Sequence, residues 1–384
     1  MRIIPTMVSQ VAVVKCGSYD ESEVEEAVGR LLSLLGGIGC YIKPGDRVLL
    51  KPNLLSASDP GRAITTHPAV LKAVVRAVQA AGGKPLIADS PGGPFNRGSL
   101  ESAYAKSGFK AVAEETGAEL NYNTCSMVAH YSEGVLLKRV DLLAILDEVD
   151  VVITLPKMKT HMLTTVTGAV KINFGLVPGL TKPAYHLKFQ SKELFADMLL
   201  DLLLCVKPRL ALMDAVVGLE GDGPGSHGTP RKTGLLLGSA DALALDVACA
   251  DIMCIPPLEV STTQRAVLRG LTSGRAGDLT VVGERLDDVR VQYRKPSGKK
   301  GVIGTFISSR LINRMLLDLT LPYPVANSAC VRCGVCKQSC PAAAITITDK
   351  AYMDRRKCIR CYCCHELCPH KAVSLKRILR FPGR

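Results

Sequence analysis

The sequence predicts an α/β protein, a sheet with helices on both faces, followed by a small cysteine-rich unit made of two repeated halves. Three observations predict it. Strand-like and helix-like segments alternate along most of the chain, the pattern of a sheet covered on both sides. The strand candidates are continuous apolar runs, such as Val48-Leu49-Leu50 and Val151-Val152-Ile153, as expected of strands buried on both faces. Finally, residues 330–369 repeat themselves with an offset of 28 positions.

Taken in order, residues 10–16 form a first apolar strand. Residues 21–35 place Val24, Ala27, Val28, Leu31, Leu32 and Leu35 at helical spacing and stop at Gly36-Gly37. Pro44-Gly45-Asp46 turns the chain into a strand that ends in Lys51-Pro52-Asn53. Pro68 opens a helix that Gly82-Gly83 closes, and the next strand ends in Asp89-Ser90. A third strand, 149–155, ends in Leu155-Pro156-Lys157. Polar residues at the ends of such strands are where sites of α/β sheets collect. Lys51, Asn53, Asp89 and Lys157 are therefore the candidates for holding a small anionic substrate.

The segment 157–179 is rich in Lys, Thr and Gly and lacks a clean period, which reads as a site rather than a spacer. Its lysines and glycine amides can hold a carboxylate or phosphate, and His161 can exchange a proton near neutral pH. The Gly218–Gly225 loop fails as a dinucleotide or phosphate loop, because no helix follows it and Glu220 and Asp222 are acidic. Further helices are expected at 194–206 and 241–254, and strands at 209–214, 234–238 and 279–282. Residues 295–325 read as a linker followed by an amphipathic docking helix, separating an α/β domain (1–294) from the cysteine-rich domain with its basic tail (326–384).

The repeat reads Cys330-x-x-Cys333-x-x-Cys336-x-x-x-Cys340-Pro341 and Cys358-x-x-Cys361-x-x-Cys364-x-x-x-Cys368-Pro369. Three thiolates two residues apart, with the fourth of each run crossing to the other site, is the ligand pattern of paired 4Fe-4S clusters. The expected sets are Cys330, Cys333, Cys336 and Cys368 for one cluster, and Cys358, Cys361, Cys364 and Cys340 for the other. Zinc is the alternative for four cysteines at this spacing. Cys363 is a surplus thiol at the position of Val335, read as a bystander, with ligand exchange as the alternative.

Formal charge is +13, and from Cys330 onward 12 Lys or Arg stand against 3 Asp or Glu. A basic surface around redox centres would steer an acidic electron carrier of the ferredoxin or flavodoxin type, or a partner redox enzyme. With no Trp and 4% aromatic residues, the chain lacks the stacking surface of a nucleic-acid binder. No apolar run approaches the roughly 20 residues of a membrane span. Cysteines at cluster spacing and no secretory pattern at the start lead to the expectation of a cytoplasmic protein.

The two cysteine runs resemble the bacterial two-cluster ferredoxin, a pseudo-symmetric α+β fold, over roughly residues 326–378. Lys51-Pro52-Asn53, Thr65-Thr66-His67-Pro68, Asp89-Ser90, Lys157-Met158-Lys159-Thr160-His161 and Thr167-Gly168-Ala169-Val170-Lys171 resemble the family called domain of unknown function 362. Ten positions separate His161 from Lys171, and Pro178-Gly179 follows, which is distantly similar to the amino-terminal domain of the nickel-pincer lactate racemase. That resemblance implies catalytic roles for both, His161 as acid/base and Lys171 as a cofactor or substrate anchor. The leading expectation is an iron-sulfur oxidoreductase or electron-transfer protein acting on a small anion. A non-catalytic electron relay and a racemase-like enzyme with structural clusters are the alternatives.

Overall fold

The computed structural model describes residues 9–179, 181–297 and 322–376. The expected docking helix within 306–321 and the basic tail beyond 376 lie outside the described residues. The α/β part begins with β1 (Gln10–Lys15), α1 (Glu21–Leu34), β2 (Arg47–Pro52), α2 (Pro68–Ala80) and β3 (Lys84–Ile87). It continues through α3 (Arg97–Lys106), α4 (Phe109–Thr116), β4 (Glu119–Leu120) and a side hairpin, β5 (Ser126–His130) with β6 (Arg139–Leu143). Then come β7 (Val151–Leu155), β8 (Lys157–His161), β9 (Thr165–Thr167), α5 (Thr181–Lys188) and α6 (Lys192–Val206). The long hairpin β10 (Leu210–Gly221) and β11 (Gly228–Ser239), α7 (Ala242–Ile252), α8 (Ser261–Leu268) and β12 (Thr280–Gly283) complete it.

The strands form one mixed sheet in the order β12-β1-β11-β10-β7-β2-β3-β4, with β8 and β9 attached beside β10. β10, β7, β2, β3 and β4 run parallel, so the ends of β2, β3 and β7 open on the same edge. The two-residue period sorts their side chains. Val48 and Leu50 pack into the core beneath α1 and α2, whereas Leu49 and Val152 pack beneath α6. The helices start where caps satisfy their first amides: the Asp20 side chain accepts from Ser22 N and Glu23 N, and Asp241 does the same for Leu243 N and Ala244 N. Residues 157–161, which carry no clean period in the sequence, are strand, β8 pairing with β10 and β9.

The C-terminal module is a small α+β unit. It contains β13 (Tyr323–Ala326), α9 (Val335–Gln338), β14 (Ile345–Ile347), β15 (Ala351–Met353), α10 (Cys363–Glu366) and β16 (Val373–Lys376), paired β13-β16 and β14-β15. The 28-residue repeat is preserved in the backbone. Arg332 and Arg360 have φ of 58° and 56°, Gly334 and Tyr362 have 79° and 62°, and Ala343 and Lys371 have 47° and 53°. Non-glycine residues adopt this left-handed conformation only when the surroundings hold them there. Tyr362 is held by its buried ring and by its hydroxyl, which donates to Pro322 O at 3.1 Å.

Candidate functional site

The strand ends of the α/β domain and α10 of the C-terminal module enclose a crevice of about 100 Å³. Lys51 and Asp89, from the ends of β2 and β3, form a buried ion pair at 2.8 Å at its base. The Asp89 carboxylate also accepts from Leu54 N and Ser90 N, which fixes both strand ends. Gly175 lies directly under this pair, and a Cβ there would collide with the Lys51 ammonium and the Asp89 carboxylate. Asn53 also lines the crevice, its side-chain oxygen accepting from Lys159 Nζ at 2.6 Å.

Lys171 stands at the start of a 3-10 turn (Lys171–Leu176) and lines the crevice. The loop before it is pinned by Asp246, which accepts from Ala169 N and Val170 N. Among the described residues, the Lys171 ammonium has no hydrogen-bond or ion-pair partner, and burial lowers its pKa. Lys182, donating to Ser90 O, is pushed down to about 7 by burial. Burial also holds Lys159 well below the usual lysine value, with Lys171 and Lys157 adding repulsion. The lining sets three lysines, Lys51, Lys171 and Lys182, against two carboxylates, Asp89 and Glu366, a balance that favours an anion.

His161 is fully buried at the end of β8, its Nε2 3.5 Å from the Glu366 carboxyl that lines the crevice. Its Nδ1 accepts from Leu163 N at 3.1 Å and Thr164 N at 3.2 Å. An acceptor at Nδ1 puts the ring proton of neutral imidazole on Nε2. Burial, Lys171 and His186 together depress its pKa well below the usual value, so the doubly protonated form is disfavoured. His161 therefore faces Glu366 as an N–H donor.

Lys157 is not in the crevice. It is buried beneath it, donating to Asp214 Oδ2 at 2.7 Å and Tyr19 OH at 2.6 Å, with the Tyr19 ring stacked on His67. This neutralised cation holds β8 to β10, so its expected role in binding an anion is corrected. Glu220 pairs with Arg294 and Asp222 binds Ser297, so neither joins Asp214 in a cation site.

Lys182, His186 and Glu366 line the crevice though the sequence did not single them out, and Cys363, read there as a bystander thiol, lines it as well. His186, on α5, lines the crevice with its ring stacked on Phe195 at 4.6 Å. Cys363 and Glu366 reach in from α10. Glu366 Oε1 lies 3.5 Å from His161 Nε2, and burial raises its pKa to about 7 against the pull of Lys171 and Lys159. A signal for these two was present. The second half of the repeat departs from the first where Cys363 replaces Val335 and Glu366 replaces Gln338.

The cysteines gather in the crossed arrangement. Cys330, Cys333, Cys336 and Cys368 line one cavity; Cys340, Cys358, Cys361 and Cys364 line another. All eight are free thiols. Among the described residues, no three His, Cys, Asp or Glu side chains converge as for a single metal ion. The repeat extends to the sulfurs, since Ala344 N donates to Cys340 Sγ and Ala372 N to Cys368 Sγ, both at 3.2 Å. Cys363 lines both the second cavity and the crevice, forming part of the wall between them.

Residues 48–251, which supply nearly all of the crevice, match the model of a domain of unknown function, DUF362. The chain belongs to the DUF362 family. A thylakoid-associated protein of Synechocystis sp. (strain ATCC 27184 / PCC 6803 / Kazusa) is similar to this DUF362 chain, with 37% identity over 275 residues, 71% of this chain and 83% of that protein. Among solved structures, the lactate racemase apoprotein from Thermoanaerobacterium thermosaccharolyticum aligns with a TM-score of 0.40 and 14% identity, over 65% of this chain and 58% of that one. A protein from Thermotoga maritima aligns with a TM-score of 0.36 and 14% identity, over 60% of this chain and 57% of that one. The DUF362 chain thus spans less than two thirds of either solved chain. Among its described residues, no helix is long and apolar enough to cross a membrane.

Proposed function

We propose that this DUF362 protein is an iron-sulfur redox protein of the two-cluster ferredoxin type, in which a small anion is bound next to one of the two clusters. One observation carries the reading. Eight cysteines line two cavities in the crossed pairing, four to each, and Cys363, a fifth thiol of the second cavity, is shared with a lysine-lined crevice. When bound, 4Fe-4S clusters supply one-electron transfer. Cys330, Cys333, Cys336 and Cys368 would hold one cluster, and Cys340, Cys358, Cys361 and Cys364 the other.

The remaining work belongs to the chain. Lys171, with Lys182, attracts the anion and offsets its charge, while the Lys51–Asp89 pair fixes the floor on which it rests. Burial of the crevice strengthens each of these interactions. Electrons would be exchanged with an acidic carrier drawn to the basic C-terminal region.

The test is a metal count on full-length protein purified without oxygen. About eight irons per chain, with matching sulfide, is the expected result. Stoichiometric zinc in place of iron, or iron that survives replacement of Cys333 and Cys361 together by Ser, overturns the reading.

A further inference from the structure

Two short helical segments wall the crevice, and each sets a lysine beside a ring. On the 3-10 turn Lys171–Leu176, side chains three residues apart eclipse one another, which puts Phe174 on the same face as Lys171. On α5, Lys182 and His186 are four residues apart and share one face of the helix. All four line the crevice. The two rings meet edge to face, with centroids 5.8 Å apart and planes at 84°. Burial and the nearby Lys171 push the His186 pKa down to about 3, so its ring is a neutral wall and not a further cation.

The rest of the lining divides in the same way. Lys51 is committed to Asp89, and Lys182 donates to Ser90 O, while Lys171 has no partner among the described residues. Leu54 and Leu55, in the loop after β2, add hydrocarbon. The cysteine-rich module adds Leu367, which lies against Gly92, and the Glu366 carbonyl meets Gly225; a Cβ on either glycine would collide. The His365 ring stacks on His227 beside them, with centroids 3.8 Å apart. In the first half of the repeat the positions of His365, Glu366 and Leu367 are held by Lys337, Gln338 and Ser339, so this apolar closure belongs to the second half alone.

Size and surface then select the ligand. A space of about 100 Å³ admits at most roughly ten water-sized groups, which limits what it can enclose to a small molecule or the end of a longer one. A wholly polar anion such as phosphate can be held by the lysines, but it leaves the rings and leucines without an apolar partner and forgoes the hydrophobic part of binding. Two ammonium groups match the two oxygens of a carboxylate. We propose that the crevice takes a short monocarboxylate with an apolar body, its head held by Lys171 and Lys182 and its hydrocarbon laid against Phe174, His186 and the leucines. This rests on the reading of the crevice as an anion site.

The experiment is calorimetric titration of full-length, cluster-loaded protein, kept anaerobic, at about pH 6.5, where Lys182 is mainly protonated. The probes are phosphate, acetate, butyrate, octanoate and dodecanoate, with iron content as the control for integrity. Each methylene taken fully from water tightens binding about fourfold, so butyrate should bind at least about tenfold more tightly than acetate. The gain should stop once the crevice is filled, leaving dodecanoate within about threefold of octanoate. Lys171→Met should weaken every one of these anions at least about tenfold. Binding of phosphate and acetate with no preference for butyrate overturns the proposal and leaves the anion site standing. A gain that continues beyond about tenfold from octanoate to dodecanoate, or butyrate binding that survives Lys171→Met, places the hydrocarbon outside the crevice and overturns it as well. Absence of binding by all five anions removes the anion site itself, and the proposal with it. The wild-type series needs no variant, so it decides the matter even if Lys171→Met loses iron.

Discussion

Two buried lysines of this protein should respond in opposite ways to the same substitution. Lys157 is 1% exposed and pairs with Asp214, itself fully buried, at 2.7 Å. Lys157→Met leaves that carboxylate in a dry interior. Removing one partner of such a pair costs about 3–5 kcal/mol. Asp214 keeps Tyr19 OH at 2.9 Å and the backbone amide of His67 at 2.9 Å, which places the loss near the lower end, about 3 kcal/mol. At about 2–4 °C per kcal/mol for a domain of this size, the melting temperature should fall by about 6–12 °C. Lys171 has no partner to orphan, and its ammonium is already opposed by burial. Lys171→Met should leave stability unchanged or raise it by about 1 kcal/mol, while weakening phosphate binding at least tenfold. Thermal unfolding followed by circular dichroism under anaerobic conditions, with calorimetric binding on the same samples, reads both effects. The reasoning is refuted if Lys171→Met destabilises as much as Lys157→Met, or if Lys157→Met binds phosphate no better than Lys171→Met at a temperature where both are folded.

Four further outcomes follow from the site. Lys182 has its pKa lowered to about 7, so its positive charge is present below that pH and lost above it; acetate affinity should fall several-fold from about pH 6 to 8.5, and Lys182→Arg should shrink the fall, leaving the part due to Glu366. The same group makes the folded state bind fewer protons than the unfolded chain between pH 7 and the ordinary lysine value, so its contribution to stability rises with pH across that window, as urea titrations at two pH values would register. Replacing Cys363 by Ala should leave iron per chain unchanged, because four thiols line the second cavity without it; loss of about four irons would make Cys363 a ligand. Gly225→Ala should loosen the junction, seen as faster proteolysis between the modules, since its Cβ would collide with the Glu366 carbonyl.

Much of the fold was legible because buried parallel strands are written as apolar runs and the helices carry capping residues at their starts. Lys51, Asn53 and Asp89 could be singled out for a similar reason, since polar residues at strand ends have few other uses. Lys157 could not be told from Lys159. They are two residues apart on one strand, and what separates them is Asp214, far along the chain, which neutralises the first and not the second. His161 was visible as a residue but not as a tautomer, which depends on where two backbone amides point. Glu366 was hidden because its neighbours in sequence are cysteines and its neighbours in space belong to the other domain.

The broken symmetry of the cysteine-rich repeat bears on how the protein can be taken apart. A module whose halves were interchangeable could be lifted from one protein and attached to another like a cartridge. Here the first half retains generic side chains, while the second carries Cys363, His365, Glu366 and Leu367 cut to fit glycines at 92 and 225. Copying Val335, Lys337, Gln338 and Ser339 into the second half would leave every cysteine of the two cavities in place. The result would be a module that has the thiols of both halves yet no longer recognises its own α/β domain.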